Sequence, residues 1–182
     1  MKTFAYCAQS FKEAVRKAAG VEPLTCPPAS ADTFNTMRLM GNGLLYFDLH
    51  GEPGSREWYG DYGLPALRAN QLRGLDLIGT IVFAANCYLA DENSPMLDAL
   101  LDAGVKYVIA APGQNFAGVR RVEGADLLGQ WFRRFVSIHL DPLRALSMAK
   151  LQIKTLRLLT PEQRRLVLDD TLGFRAFYRQ EA

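Results

Sequence analysis

Two short, nearly continuous apolar segments constrain the fold of this chain more than any other feature of its sequence. They span residues 44–47 and 80–85, and both are far shorter than the roughly 20 residues that a membrane-spanning helix needs. A strand that is apolar at successive positions is buried on both faces, as at the centre of a parallel sheet. We therefore predict that the two segments are adjacent parallel strands in the centre of one sheet.

Helices are predicted between and beside these strands. Ser10 and Glu13 have the spacing of a capping box, and Ser94 and Pro95 are suited to the first positions of a second helix. The predicted order is strand 3–7, helix 11–20, strand 44–47, loop 52–63, helix 65–75, strand 80–85, helix 95–104 and strand 106–111. This alternation predicts right-handed crossovers between parallel strands. The expected fold class is α/β, a doubly wound, mainly parallel sheet with helices on both faces.

The last third of the chain has a helical pattern. Apolar residues recur on one face between positions 127 and 138, Asp141 and Pro142 suit the start of a further helix, and residues 160–163 form a second capping-box pattern. A chain of 182 residues that is 49% hydrophobic and 22% charged suits one globular domain. We predict a single domain over residues 1–182, with a core over about 1–118 and a helical C-terminal segment over about 124–182.

Cysteine and charge content argue against several classes of protein. The three cysteines, Cys7, Cys26 and Cys87, leave one unpaired in any disulfide scheme, and no two have CxxC spacing. Residues 1–20 lack the apolar run of a signal peptide, so we expect a cytoplasmic protein without a membrane partner. The formal net charge is +2, and the basic excess in residues 120–182 is interpreted as solvated helix faces rather than a nucleic-acid site. Neither a metal ion nor an organic cofactor is expected.

His50 and Cys87 follow the two central strands. Catalytic groups in open parallel sheets collect beyond the carboxyl ends of the strands, and neighbouring strands lie about 4.8 Å apart. The two side chains are therefore expected to face each other across a small gap. An imidazole beside a thiol accepts its proton, and the thiolate then attacks a carbonyl carbon. The backbone N–H groups of Gly51 and Cys87 are the natural donors to the resulting oxyanion, and Gly51 has no Cβ to keep a substrate away.

The arrangement of these residues resembles a known group of peptidases. A hydrophobic strand followed by His50 and Gly51, then a second hydrophobic strand followed by Asn86 and Cys87, resembles the clan of caspases, gingipains, separase and the bacterial CHAT peptidases. Residues 86–112, where a helix ending in Ala-Gly leads to a strand closed by proline, resemble CHAT peptidases most. The resemblance implies a caspase-like fold and a cysteine endopeptidase, with His50 as the base and Cys87 as the nucleophile.

Four further residues are candidates for substrate binding. Asp48 either orients a neighbour or pairs with a basic group, and Trp58 belongs to an aromatic cluster that forms a substrate wall or anchors its own loop. Asp91 and Glu92 follow the nucleophile closely. They either receive a basic side chain next to the scissile bond or simply favour the start of the next helix, where negative charge is stabilising.

A second hypothesis comes from another class of function. After Cys87 the chain has Tyr88, Leu89 and Ala90, where CHAT domains commonly have an acidic residue and Thr-Gly. This departure fits a caspase-like domain that no longer cleaves and serves as a binding or assembly module. The first hypothesis implies a peptide or protein substrate, and both leave room for a protein activator or a homo-oligomer.

Overall fold

The computed structural model describes residues 1–155, 167 and 171–179, which contain a six-stranded sheet, a two-stranded hairpin and four α-helices. The strands are β1 (Thr3–Ala8), β2 (Leu24–Cys26), β3 (Leu44–Asp48), β4 (Glu57–Tyr59), β5 (Pro65–Arg68), β6 (Ile81–Ala84), β7 (Tyr107–Ala110) and β8 (Arg175–Phe177). The helices are α1 (Lys12–Ala19), α2 (Pro95–Asp102), α3 (Gly124–Ser137) and α4 (Pro142–Thr155). The sheet order is β2-β1-β3-β6-β7-β8, and only the pairing of β7 with β8 is antiparallel.

The two apolar segments form the centre of the sheet, as predicted. β3 lies between β1 and β6 and is parallel to both, with Leu44 opposite Ile81 and Phe47 opposite Ala84. All five residues of β3 are buried. A strand in this position has no face toward water, which is why its side chains are apolar at successive positions.

Helices pack on both faces of the sheet, so the predicted fold class is confirmed. On one face, α1, α3 and α4 enclose a core that includes Tyr46 and Phe132. On the other face, α2 and the β4–β5 hairpin enclose a core that includes Phe47, Trp58 and Leu100. Full burial of each such side chain is worth about 1.5–3 kcal/mol, so the two layers together hold the central strands in register.

The helix predicted over residues 65–75 is wrong. Residues Pro65–Arg68 form β5, which pairs antiparallel with β4, and a short 3-10 helix, Ala69–Leu72, follows. Arg68 donates to Glu57 across the hairpin at 2.8 Å and to Asp32 at 2.5 Å. These partners are distant in sequence, and pairing across the hairpin overrides the local helical pattern. The segment predicted as a loop over 52–63 accordingly contains β4.

The two predicted helix starts have different outcomes. At α2 the Ser94 hydroxyl accepts a hydrogen bond from the Leu97 N–H at 3.3 Å, so the predicted N-cap is formed. The capping box at Ser10 is not formed, and α1 begins at Lys12 without a side-chain cap. Instead, the Ser10 N–H and hydroxyl both donate to the carboxylate of Asp61, at 2.9 and 2.7 Å.

The C-terminal segment is helical only in part. α3 and α4 confirm the predicted helices, and Asp141 accepts main-chain hydrogen bonds at the start of α4. Within the segment predicted as helical over about 124–182, residues Arg175–Phe177 instead form β8, an antiparallel strand at the edge of the sheet. The capping box predicted at residues 160–163 lies outside the described residues.

Candidate active site

His50 follows β3 directly, and its main chain is fixed to the hairpin. The His50 N–H donates to the Tyr59 carbonyl at 2.8 Å, and the Tyr59 N–H donates back to His50 at 2.9 Å. The imidazole and the Phe11 ring make an edge-to-face contact, with the ring centroids 5.1 Å apart. Its Nε2 lies 3.8 Å from a carboxylate oxygen of Asp61, and half of the His50 side chain is exposed. The imidazole is thus accessible from solvent while its backbone is held in place.

Cys87 follows β6 and contacts the loop that comes after β7. Its Sγ accepts a hydrogen bond from the Asn115 N–H at 3.3 Å and donates one to the Asn115 carbonyl at 3.5 Å. The Asn115 side-chain amide donates to the carbonyls of Ala85 and Asn86, at 3.2 and 2.9 Å. This loop therefore holds both the sulfur and the strand end that carries it. Cys87 as a whole residue is partly exposed.

The segments that follow β3 and β6, which carry His50 and Cys87, lie close together. The Leu49 N–H donates to the buried side chain of Asn86 at 3.2 Å, which joins the two strand ends beyond the ladder. Gly51 lies directly against the main chain of Cys87, and a Cβ at this position would overlap the Cys87 carbonyl oxygen. Only glycine fits this approach without displacing one strand end. Of the two predicted dyad residues, Cys87 is therefore part of this main-chain contact, and His50 is next to it in the chain.

A shallow depression of about 360 Å³ opens at the His50 side of this contact. Its lining consists of His50, Glu52, Tyr59, Gly60, Tyr62 and Gly63. Cys87 is not among these residues. A larger groove of about 410 Å³ lies between the hairpin and α2, where Arg56, Arg73 and Asp98 are part of the lining. We take the smaller depression as the candidate substrate entrance because it contains an accessible imidazole at the carboxyl edge of the sheet.

Two of the predicted substrate-binding residues are inside the protein. Asp48 is only 2% exposed and pairs with an acid, Asp126 of α3, so it is out of reach of a substrate and does not pair with a basic group in the described part of the chain. Trp58 is also 2% exposed, and its ring lies 5.0 Å from that of Phe47. Of the two roles considered for Trp58, the structure supports the anchor of its own loop. Both side chains point into the cores that cover β3.

Asp91 and Glu92 lie in the turn between Cys87 and α2. The Asp91 carboxylate accepts a hydrogen bond from the Glu92 N–H at 2.9 Å, and the Glu92 side chain is exposed. The turn is attached to the strand ends, because the Tyr88 N–H donates to Gly113 and the Ala90 N–H donates to Ala111. The two acids therefore remain close in the chain to the candidate nucleophile, on a tethered surface turn.

The buried carboxyl groups of Asp48 and Asp126 both have raised pKa values. Burial, and next the charge of Asp126, raise the pKa of Asp48 well above its usual value. Burial also raises the pKa of Asp126, to about 6, while hydrogen bonds from Tyr46, Gly118 and Asp48 act in the opposite direction. Asp48 is accordingly the protonated partner and donates to the Asp126 carboxylate. Since that carboxylate also accepts from the Gly118 N–H at 3.1 Å, the pair attaches the loop after β7 to the core.

Sequence reasoning missed three polar residues of this site. Asn115 and Asp61 lie in loops that reach His50 and Cys87 only through the folded chain, and Asn86 appeared as no more than the residue before Cys87. The available signal for Asn115 was its position just beyond the third predicted strand, at the same sheet edge as the dyad. Nothing in the local sequence marks Asp61 as a neighbour of His50.

Among the described residues, no group of three or more His, Cys, Asp or Glu side chains is placed to hold a metal ion. No helix in that same part of the chain combines the length and the apolar character needed to cross a membrane.

Comparisons with known proteins show similarity to a solved structure but not to a curated sequence. The sequence matches no family model and no curated protein significantly. The structure is similar to the crystal structure of the Arg-specific cysteine proteinase gingipain R, with a TM-score of 0.52 and 12% sequence identity. The similarity covers 94% of this chain and 45% of that one, so this chain spans less than half of the gingipain R chain. The fold is caspase-like, as the sequence resemblance implied.

Proposed function

We propose that this protein is a cysteine endopeptidase that uses His50 and Cys87 as a catalytic dyad. The observation that carries the proposal is the contact between Gly51 and the Cys87 main chain, which brings a histidine and a cysteine to the ends of adjacent parallel strands. The same fold carries cysteine proteinase chemistry in gingipain R. The resemblance of residues 86–112 to CHAT peptidases supports a bacterial, cytoplasmic enzyme of that type.

The proposed reaction needs no group beyond the chain and water. The His50 imidazole accepts the Cys87 proton, and the thiolate attacks the scissile carbonyl carbon. The N–H groups of Gly51 and Cys87 stabilise the oxyanion. The imidazolium protonates the leaving amine as the peptide bond breaks, and water then hydrolyses the thioester. In the resting protein the thiol donates to the Asn115 carbonyl, so it must release that hydrogen bond, while the Asn115 N–H stays available to stabilise the thiolate.

The proposed substrate has a basic residue before the scissile bond. Asp91 and Glu92 lie on the turn that follows the nucleophile and supply negative charge to this edge of the sheet. Loss of one partner from such a charge pair costs about 2–5 kcal/mol when the pair is desolvated, which corresponds to roughly 30-fold or greater discrimination. A fluorogenic panel with Arg, Lys, Asp, Asn and Leu at this position should show preference for Arg or Lys. The preference should be lost when both acids are replaced by Ala; a preference for Asp would contradict the assignment.

The dyad is tested with the variants Cys87→Ala and His50→Ala. Hydrolysis of the preferred peptide should disappear in Cys87→Ala and fall by at least about 100-fold in His50→Ala, since general base catalysis contributes about 10²–10⁴-fold. A chloromethyl ketone carrying the same peptide should modify wild-type protein at Cys87 alone. Equal hydrolysis by wild type and Cys87→Ala would overturn the proposal.

A second candidate function is a non-cleaving binding or assembly module with the same fold. It is favoured by the depression beside His50, whose lining does not include Cys87, and by the two hydrogen bonds between the Cys87 sulfur and the main chain of Asn115. In that case peptides, an activator protein or a second copy of the chain bind at this edge without cleavage. Peptide binding that is equal in wild type and Cys87→Ala, with no hydrolysis in either, would select this candidate.

A further inference from the structure

We propose that Asp61 positions the His50 imidazole and stabilises the ring once it carries the Cys87 proton. The inference rests on the proposed function, because it adds a third residue to the same dyad. Asp61 lies in a 3-10 turn, Asp61–Gly63, just after β4 and eleven positions beyond His50 in the chain. It was not singled out by any motif, and its role depends on what surrounds it in the folded protein.

The Asp61 carboxylate is held in one direction. One of its oxygens accepts from the Ser10 hydroxyl at 2.7 Å and the other from the Ser10 N–H at 2.9 Å. Its side chain is only 19% exposed, whereas that of His50 is 50% exposed. The oxygen that contacts the Ser10 hydroxyl is also the one 3.8 Å from His50 Nε2. A carboxylate fixed by two hydrogen bonds loses little further freedom when it attracts the imidazole.

The turn between β1 and α1 confines the imidazole on two sides. Ser10 anchors the carboxylate, and the ring of the adjacent Phe11 makes an edge-to-face contact with the His50 ring. The backbone of His50 is separately fixed by its paired hydrogen bonds to Tyr59. The residues that looked like a helix cap in the sequence therefore build the surroundings of the base. This use also explains why Ser10 leaves the start of α1 uncapped.

The contact has a definite chemical consequence. A carboxylate on the Nε2 side favours the tautomer with its proton on Nε2, which leaves Nδ1 to accept the thiol proton. After that transfer the ring is positively charged, and the carboxylate of Asp61 stabilises it. The distance of 3.8 Å suits a free enzyme, in which such contacts are commonly longer than in the substrate complex.

Direct action of Asp61 on the sulfur would have the opposite sign. A negative carboxylate near a thiolate disfavours the thiolate, so removal of that charge would speed alkylation of Cys87. If Asp61 acts through His50, its removal slows alkylation, because the imidazolium that accompanies the thiolate is less stable. The direction of the change therefore separates a positioning role from a general effect of charge.

The test is the rate of iodoacetamide alkylation at Cys87, mapped by mass spectrometry, in a double-mutant cycle. We expect Asp61→Asn to slow the reaction by about two- to five-fold, the range for a partly exposed ion pair. His50→Ala should slow it at least as much, and the double variant should match His50→Ala alone. Rates that multiply in the double variant, or an Asp61→Asn rate equal to or faster than wild type, would overturn the inference.

Matched variants separate this result from loss of folding and from failure of the dyad. Glu13→Gln removes an exposed acid of α1 that pairs with Arg16, and its alkylation rate should equal wild type. Ser10→Ala keeps every charge but frees the Asp61 carboxylate, so it should slow alkylation about two-fold even if Asp61→Asn folds poorly. If His50→Ala leaves the rate unchanged, the dyad itself fails. If His50→Ala slows it and neither Asp61→Asn nor Ser10→Ala does, only the role of Asp61 fails.

Discussion

Asn115 connects the loop after β7 to the end of the strand that carries Cys87. Its amide group donates to two carbonyls, while its own side-chain oxygen is buried and finds no hydrogen-bond partner among the described residues. The hydrogen bonds are favourable, and the buried oxygen offsets part of that gain. The side-chain N–H groups of Asn115 therefore contribute more to stability than its side-chain oxygen.

We predict that Asn115→Asp is more harmful than Asn115→Ala. Alanine loses two donors and one unsatisfied acceptor, which should lower the free energy of unfolding by about 1 kcal/mol. A carboxylate at the same position faces two carbonyl oxygens and should cost about 2–3 kcal/mol. Urea unfolding measures both changes, and the exposed neighbour Gln114→Ala should stay within about 0.5 kcal/mol of wild type. Equal losses for Asp and Ala would show that the amide donor is unimportant.

The three cysteines should differ clearly in reactivity. Cys7 and Cys26 are fully buried, and burial raises the pKa of both thiols. Cys87 is partly exposed and lies next to an amide donor. We therefore predict that iodoacetamide labels Cys87 first in the folded protein, with all three labelled at similar rates in urea. Faster labelling of Cys7 or Cys26 in the folded state would contradict the activated-thiol hypothesis.

The sequence sufficed to place His50 and Cys87 at the ends of adjacent strands, but not to identify the residues around them. His50 and Cys87 were predictable because each follows an apolar strand, and burial on both faces placed those strands side by side. The acidic partner of Asp48 could not be predicted, because only the folded chain shows that Asp126 of α3 faces it. Asp61 depends on Ser10, a contact between distant parts of the chain that no local pattern contains.

At the scale of elements, the junction of β3 and β6 depends on one glycine. Gly51 has no Cβ, and its main chain lies against that of Cys87 in the space that a Cβ would occupy. Any larger residue would push apart the two chain segments that carry His50 and Cys87. The oxyanion donors proposed above belong to the same two residues, so their geometry depends on this contact.

We predict that Gly51→Ala lowers stability by about 1–3 kcal/mol, the usual cost of inserting a methyl group where backbone must move. Peptide hydrolysis should fall further than the loss of folded protein explains, because the oxyanion donors separate. Gly113→Ala is the matched control: it lies in the neighbouring loop, and a Cβ there meets no atom within 4 Å. Unfolding curves and kcat/KM of both variants make the comparison, and equal behaviour would refute the predicted role of the contact.

The predictions of elements failed where pairing across the chain outweighed local pattern. Leucines at positions 64, 67, 72 and 75 suggested a helix, yet residues 65–68 pair with β4, and Leu67 is buried opposite Trp58. β8 is only three residues long and is a strand because it pairs with β7, so its own sequence could not identify it. Central strands were predictable because strands buried on both faces are apolar at successive positions. Edge strands and hairpins form through pairing with other segments, which their own sequences do not reveal.

At the scale of the whole molecule, the Asp48–Asp126 pair joins three parts of the fold. Asp48 belongs to β3, Asp126 to α3, and the Asp126 carboxylate accepts from Gly118 in the loop after β7 and from the Tyr46 hydroxyl at 2.7 Å. Burial of these acids raises the pKa of both, and the buried Cys7 thiol nearby likewise has its pKa raised. Stability of the fold is therefore linked to protons held at the centre of the molecule.

The sign of this linkage follows from the direction of the shifts. An unfolded aspartate has a pKa of about 3.9, so above that pH the folded protein binds more protons than the unfolded chain. The free energy of unfolding should consequently fall as the pH rises above about 4, through about 6 for Asp126, and further as Asp48 approaches its own raised pKa. Each unit of raised pKa corresponds to about 1.4 kcal/mol once the group is ionised.

Asp48→Asn should remove most of the loss of stability at high pH while keeping the hydrogen bond to Asp126. The asparagine amide donates to the Asp126 carboxylate as the protonated acid does, but it has no proton to release. We expect the free energy of unfolding at pH 8 to rise by about 1–3 kcal/mol and its decline between pH 5 and 9 to become shallower. Asp126→Asn is the contrasting variant: it weakens the acceptor for Tyr46 and Gly118, so stability should fall at every pH. Urea unfolding at several pH values decides the question, and an unchanged slope in Asp48→Asn would show that the buried pair is not the source of the pH dependence.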